Sequence, residues 1–317
     1  MSTAPAPVAS RPRSDPRAAS PKRTNTRRRG WRTLGWALLF LLPSAIPLTA
    51  FTLVPMISSA WVSLHDWNLI SPMEWVGLEN YRELLADPRT WDVFANTATY
   101  ILGYLPLVYI GGLGLALALN RAMAGIAFLR GAYFLPVVTS WVVVALVWQW
   151  LLSPSNGLVN TVLGAIGLPE PGWWTDPTWA MPSIILASVW KDLGFVMVIL
   201  LAGLQALPQE VLEAARVDGA GAWRRFWHIT LPLLSPSTFF VVVISLINGF
   251  QVFDQVNVMT DGGPAGATQV VVGQIYDLTF RYGRAGDASA LSWLLFALVL
   301  VITAIQIRGQ RRWVTYA

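Results

Sequence analysis

Cysteine is absent from the chain, which excludes disulfides, thiolate metal sites and cysteine nucleophiles and leaves the redox compartment unspecified. Histidine is nearly absent. His65 and His228 stand far apart without HExxH-type spacing, and isolated histidines are more often packing or interfacial residues than ligands, so no metal site is expected. Lysine occurs only at Lys22 and Lys191, after Pro21 and Trp190. A phosphate-cradling loop needs Gly-x-x-x-x-Gly-Lys-Ser/Thr, so this chain is expected neither to hydrolyse ATP nor to carry a cofactor. Charge as a whole is scarce: 12% of the 317 residues are charged, against about 25% in a soluble domain. With 55% hydrophobic residues, a water-soluble enzyme of this length would expose more apolar surface than water tolerates. The expected surroundings are a lipid bilayer.

What charge there is lies unevenly. Residues 1–33 hold nine Lys or Arg against the single acid Asp15, interleaved with Pro, Ser, Thr and Ala. Such a segment cannot build a core. It is expected to be a basic cytoplasmic tail that sets topology and touches membrane lipid. No folded recognition module accompanies it, so nucleic acid is not an expected partner. The uncharged run from Thr33 to Leu64 exceeds the ~7–15 apolar residues of a signal peptide and reads as a retained anchor.

A helix needs about 20 mostly apolar residues to cross a bilayer. Six segments qualify: Leu34–Ile57, Thr97–Leu119, Gly131–Leu152, Pro182–Leu204, Ser237–Met259 and Ala288–Ile307. Pro43, Pro47 and Pro55 are expected to bend or break the first. The tail, the loops 120–130 and 205–236 and the end 308–317 together hold 17 of the 22 Lys and Arg, whereas the opposite loops hold four of them and 11 of the 17 acids. Since cytoplasmic loops carry the excess of Lys and Arg, both termini are expected in the cytoplasm. Trp61, Trp67, Trp75, Trp173, Trp174 and Trp179 fall in the outer loops, where an interfacial aromatic belt belongs.

One cytoplasmic loop, residues 208–232, is too long for a connector. It begins Pro208-Gln-Glu210-Val-Leu-Glu213-Ala214-Ala215-Arg-Val-Asp218-Gly219-Ala220 and ends Ile229-Thr-Leu231-Pro232. Pro208 suits a first helical turn, and Glu210 and Glu213 suit its positive end. Gly219 supplies the positive φ that stops one short helix and starts another. Two short helices at the cytoplasmic face are therefore expected. Physics alone leaves open whether they dock on a protein or rest on lipid headgroups.

The spacing Glu213-Ala214-Ala215, three residues, Gly219, nine residues, Ile229-x-Leu231-Pro232 resembles the EAA loop of permease subunits in bacterial ABC importers. Val76-Gly77-Leu78-Glu79-Asn80-Tyr81 with Asp87-Pro88, Phe134-Leu135-Pro136, Thr260-Asp261-Gly262-Gly263-Pro264 and Ile275-Tyr276 resemble the carbohydrate-uptake branch, which includes maltose, multiple-sugar and glycerol-3-phosphate importers. The resemblance covers most of residues 34–317. It implies an all-α integral membrane fold of six transmembrane helices with a cytoplasmic coupling helix, the type I importer permease, in a bacterial cytoplasmic membrane. Its implied partners are a second related permease, a dimer of ABC ATPase subunits that bind ATP and Mg, and an extracytoplasmic solute-binding protein. Glu213, Ala214, Ala215, Asp218, Gly219 and Ala220 match the motif that couples permease to ATPase. The implied activity is ATP-driven import of a sugar or sugar-like solute by alternating access.

Ionisable residues inside a bilayer are functional candidates by default. Lys191, Asp192 and Asp254 qualify. Adjacent residues point about 100° apart on a helix, so Lys191 and Asp192 are not natural partners of one another. In the fifth span Asn248, Gln251, Asp254 and Gln255 are expected on one face. Sugar recognition needs neutral hydrogen-bonding groups and flat apolar faces. Asn248, Gln251, Phe250 and Phe253 supply both and are assigned to the solute path with Asp254, Lys191 and Trp190. The alternatives are interhelical hydrogen bonding for the amides and a structural ion pair for Lys191. Other functional readings are an ion-coupled secondary transporter, which would show internal repeats with broken helices, an ABC permease for a non-sugar solute, and a membrane enzyme using the scattered outer-loop acids.

Overall fold

A computed structural model describes residues 39–314, so the basic tail and the start of the first expected span lie outside the described residues. The chain divides into two compact units, Met1–Ile57 and Ser58–Ala317. The first described element is helix α1, Leu39–Val62. Its prolines do not break it. A π-helical turn over Thr49–Leu53 lets the Val54 N–H reach back to the Thr49 carbonyl, and that extra residue absorbs the mismatch that proline introduces.

In the second unit β1 (His65–Asp66) pairs antiparallel with β2 (Glu74–Trp75), His65 opposite Trp75. Helix α2, Glu79–Ala86, comes next. Its buried Asn80 donates to the carbonyls of Ser63 and His65 at 2.9 Å each, clamping the hairpin. Then come α3 (Pro88–Leu119), α4 (Ile126–Val138), α5 (Trp141–Leu151), α6 (Leu158–Ala165), α7 (Pro177–Gln205), α8 (Gln209–Val217), α9 (Ala222–Leu233), α10 (Ser235–Phe250), α11 (Asp254–Met259), α12 (Val271–Tyr276) and α13 (Ala285–Trp313).

Helices α3 and α7 start alike. Asp87 accepts the Arg89 N–H and Asp176 the Thr178 N–H, each followed by a proline at the first helical position, the arrangement that satisfies orphan amides at a helix start. They pack on each other through small residues, Gly103 receiving Ile185, Gly111 receiving Leu193 and Gly112 receiving Val196. Numbers rise together along both helices, so the two run parallel. Tyr104, Ile184, Met197 and Leu200, all within a few per cent of full burial, fill the core between them.

Among the described residues α1, α3, α7 and α13 are each long and apolar enough to cross a bilayer, and two bent pairs bring the number to six. Two expected spans need correction. The third, Gly131–Leu152, is not one helix: α4 and α5 meet at 99°, with Thr139 and Ser140 extended at ψ near 141° and 139°. The fifth, Ser237–Met259, is two helices: α10 ends at Phe250, Gln251, Val252 and Phe253 unwind, and α11 resumes at Asp254, while α9 enters α10 through a 64° bend. Non-helical backbone at membrane depth is tolerated where it lines protein or a polar cavity. The unwound stretch of Gln251, Val252 and Phe253 meets that condition, lining a polar cavity together with Trp141 from beside the other break, while Ser140 itself is exposed.

Candidate functional site

The unwound stretch after α10 opens on a cavity of about 480 Å³. Asn248, Gln251, Phe253 and Asp254 line it, as expected from the sequence, joined by Tyr100 and Tyr104 from α3, Trp141 from α5 and Asp192 from α7. The four residues expected on one polar face of the fifth span all line this cavity, on an interrupted rather than a continuous helix. The unwinding at Gln251 turns Asn248, Gln251 and Asp254 into the cavity, while Gln255, also on the lining, is buried and donates to the Tyr100 hydroxyl at 3.3 Å. Tyr100 and Tyr104 stack within 8° of parallel, centroids 5.4 Å apart, and the Tyr104 hydroxyl donates to Asp192 at 2.8 Å. The site therefore sets amides and carboxylates beside aromatic faces, able to form hydrogen bonds to a polyhydroxylated solute and to stack on its apolar side.

Three of the residues assigned to the path lie off this lining. Phe250 is 8% exposed and packs in the core. Trp190 stands edge-on to Trp148 at 5.9 Å. Lys191 points into the break of the third span, where its ammonium donates to the Val137 carbonyl at 3.0 Å and lies 4.9 Å over the Trp141 ring. A helix that ends at Val138 leaves its last carbonyls without helical donors, and a cation there also meets the negative end of the helix dipole. No ion pair of Lys191 with Asp192 or Asp254 exists among the described residues. One turn further on, Gly194 lies against the Tyr133 carbonyl and Phe134 Cα, so α4 backbone and α7 approach with no room for a side chain.

Tyr100, Tyr104 and Trp141 escaped the sequence reading. Their hydroxyls and ring give no periodic signal inside apolar helices; only the tertiary packing brings them to Asp192.

The Gly-Gly-Pro loop borders the same region. Arg281 bridges Asp261 and Asp277, and the hydrogen bond it donates to Asp261, then the nearby charge of Asp277, holds the guanidinium pKa above its usual value. Gln269 donates to Asp277 at 2.7 Å, and Asn96 of α3 donates to the carbonyls of Gly266 and Gln269.

The second candidate region is α8 together with the start of α9. Pro208 precedes the helix in extended conformation, one residue earlier than the first-turn position expected. The helix closes by a double bond pattern, Ala220 N–H to Ala215 C=O at 3.0 Å and Gly219 N–H to Arg216 C=O at 3.1 Å, with Gly219 at φ +74°. This is the Schellman arrangement, for which glycine is the favoured residue. Arg225 then donates to the Ala220 carbonyl at 2.6 Å and fixes the elbow between α8 and α9. Ala215 is buried, while Glu213, Ala214, Asp218 and Gly219 are exposed. Val211 and Val217 are also exposed, Val217 at 88%, and with Ala214 they form an apolar strip. A nine-residue helix is marginal alone, and this one carries its apolar strip exposed.

Membrane-length helices, two of them broken beside a polar cavity, and a short polar helix closed by glycine define a helical membrane transport protein. The chain belongs to the family of binding-protein-dependent transport system inner membrane components, whose model matches residues 110–312. It is 36% identical over 277 residues to the trehalose/maltose transport system permease protein MalF of Thermococcus litoralis, covering 86% of this chain and 92% of that one. It is 34% identical over 279 residues to the lactose transport system permease protein LacF of Rhizobium radiobacter, covering 86% and 93%. A chain of the bacterial alginate ABC transporter, solved with an alginate pentasaccharide-bound periplasmic protein, superposes with TM-score 0.78 at 27% identity, covering 92% of this chain and 97% of that one. These matches do not favour the ion-coupled reading. The chain is a multi-pass membrane permease subunit.

Proposed function

We propose that this subunit provides one half of the path by which an ATP-driven importer carries a neutral sugar into the cell. The observation that carries this reading is the cavity at the unwound end of α10, lined by the Asn248 and Gln251 amides together with Tyr100, Trp141 and Phe253. Relatives named for trehalose/maltose, lactose and alginate transport support the sugar class. The charges on the lining are Asp192 and Asp254, and the neighbouring cation Lys191 is engaged with a carbonyl outside it. A lining of one sign repels solutes of that sign. The favoured cargo is an uncharged sugar, of the kind named for the trehalose/maltose and lactose relatives; the similar alginate transporter, whose cargo is an acidic polysaccharide, supports the sugar class only.

Partners and orientation form part of the same proposal. The exposed strip on α8, with Glu213, Ala214 and Asp218, is the surface for an ATPase that binds ATP and Mg, present as a dimer. A second permease closes the cavity, and a solute-binding protein delivers the sugar at the acidic face. The excess of Lys and Arg on the loops at the α8 end supports placing that end, and both termini, in the cytoplasm.

The test is gentle purification of the chain from native membranes, identification of what accompanies it, and uptake by the reconstituted assembly of radiolabelled maltose, trehalose and lactose. An ATPase, a second permease and a binding protein should accompany it, with ATP-dependent uptake of a sugar. A transport-competent chain recovered alone would overturn the assignment.

A further inference from the structure

Beyond the cavity, the segment between the fifth and sixth spans carries aromatic rings in a row. Tyr276 ends α12 and Phe280 sits in the adjoining π-helical turn Asp277–Arg281. The Phe253 and Tyr276 centroids are 5.1 Å apart, as are those of Tyr276 and Phe280, with neighbouring planes tilted by 42° and 45°. Phe253 lines the cavity. Phe280, at the other end, is 71% exposed.

The row has a direction. At its start α12 is tied to α3 well below the helix start, the Val271 N–H donating to Thr97 Oγ1 at 3.1 Å. Further along, Gln274, Leu278 and Tyr282 share a surface cleft with Glu83 and Asp87 at the beginning of α3. The segment therefore climbs from cavity level to the acidic end of the bundle. The inner ring has a polar margin: Asn257, Asp261, Gln269 and Asp277 line a narrow crevice with Phe253, and Asp277 directly follows Tyr276 in the chain.

A sugar ring presents C–H faces and a rim of hydroxyls. It suits a surface whose centre is aromatic and whose edge accepts and donates hydrogen bonds. A belt residue facing lipid needs no such margin, and no row leading inward. We propose that Phe253, Tyr276 and Phe280 form an aromatic track that hands a sugar from the outer face to the cavity. The proposal rests on the sugar reading above.

The test uses the whole importer, purified with its accompanying chains and placed in proteoliposomes, with radiolabelled maltose, or whichever of trehalose and lactose the wild type carries. Phe280→Leu and Tyr276→Leu keep apolar bulk and remove the flat face; Phe280→Trp and Tyr276→Phe keep it. The Leu variants should deliver about 3- to 10-fold less sugar per ATP hydrolysed, the range expected for one lost aromatic face, and the aromatic variants should recover it. Leu variants equal to wild type, or no better performance from Trp than from Leu, would overturn the track. Equal loss of ATP hydrolysis and uptake would overturn it too, assigning Phe280 to contact with the binding protein. A wild-type importer that carries none of these sugars would remove the sugar reading itself, and the track with it.

Discussion

At Lys191 the ammonium supplies the donor that Val137 lost when the third span broke. Lys191→Met leaves that carbonyl without its partner in a half-buried place, and hydrogen bonds to charged groups are worth about 1.5–3 kcal/mol. A drop in the melting temperature of the detergent-solubilised protein is expected, with partial recovery in Lys191→Gln; an unchanged melting temperature would remove the capping role. Gly194→Ala should also lower it, because the added methyl meets the α4 backbone, whereas Gly114→Ala, whose Cβ meets nothing within 4 Å, should be neutral and serves as the control. The sequence marked Lys191, Asp192 and Asp254 as unusual because charge inside an apolar span is conspicuous. It did not say which way each would point. Adjacent residues on one helix diverge, and here they serve different ends, Lys191 holding a break and Asp192 facing the cavity with Tyr104.

Among the elements, α8 was the most legible. A polar helix that starts after Pro208, carries Glu213-Ala214-Ala215 and stops at Gly219 announces itself by local chemistry alone. The geometry sharpens what its mutation does. Gly219→Pro demands φ near −65° where the chain has +74°, and it removes the amide that bonds Arg216. Loss of the ATPase on purification is expected, at unchanged membrane abundance of the chain. Glu213→Lys, on the exposed face, should leave the elbow intact yet reduce ATP-driven uptake at least several-fold; normal uptake by both variants would end the coupling assignment. The broken third span was illegible for a physical reason. Thr139 and Ser140 are compatible with helix and hydrophobicity runs on through Trp141, so hydropathy reads one span; Pro136, inside α4 three residues before Thr139, was the one local sign of a break. The unwinding at Gln251 was equally hidden, because Asn248, Gln251 and Asp254 are spaced as a helical face would be. In the proline-rich first span the expected bend or break takes the form of a π-turn through which the helix continues.

For the whole molecule, the sign of the cavity's charge becomes a selection rule. Uptake of a neutral disaccharide should be barely inhibited by the same concentration of its uronic acid counterpart, and Asp192→Asn with Asp254→Asn should raise that inhibition by weakening the repulsion. Equal competition by both sugars in the wild type would refute it. The six-span plan followed from composition, but the pairing of α3 with α7, and hence the cavity wall, came only from the fit of Ile185, Leu193 and Val196 onto glycines 82 to 84 positions away. That pairing also bears on how force travels. Springs in series deform where they are softest. The α3–α7 slab, keyed at three points along its length, is the stiff member, as is the elbow pinned by Arg225. The compliant places are the π-turn over Phe226–Thr230 and the 64° bend into α10. A push on the proposed ATPase surface at Glu213 would reach α10 through that hinge, and α10 is itself keyed to the slab by Gly249 against Ile101 and by Tyr109 with Thr238 at 3.0 Å, so the wall that carries Asn248 would move with the slab rather than against it.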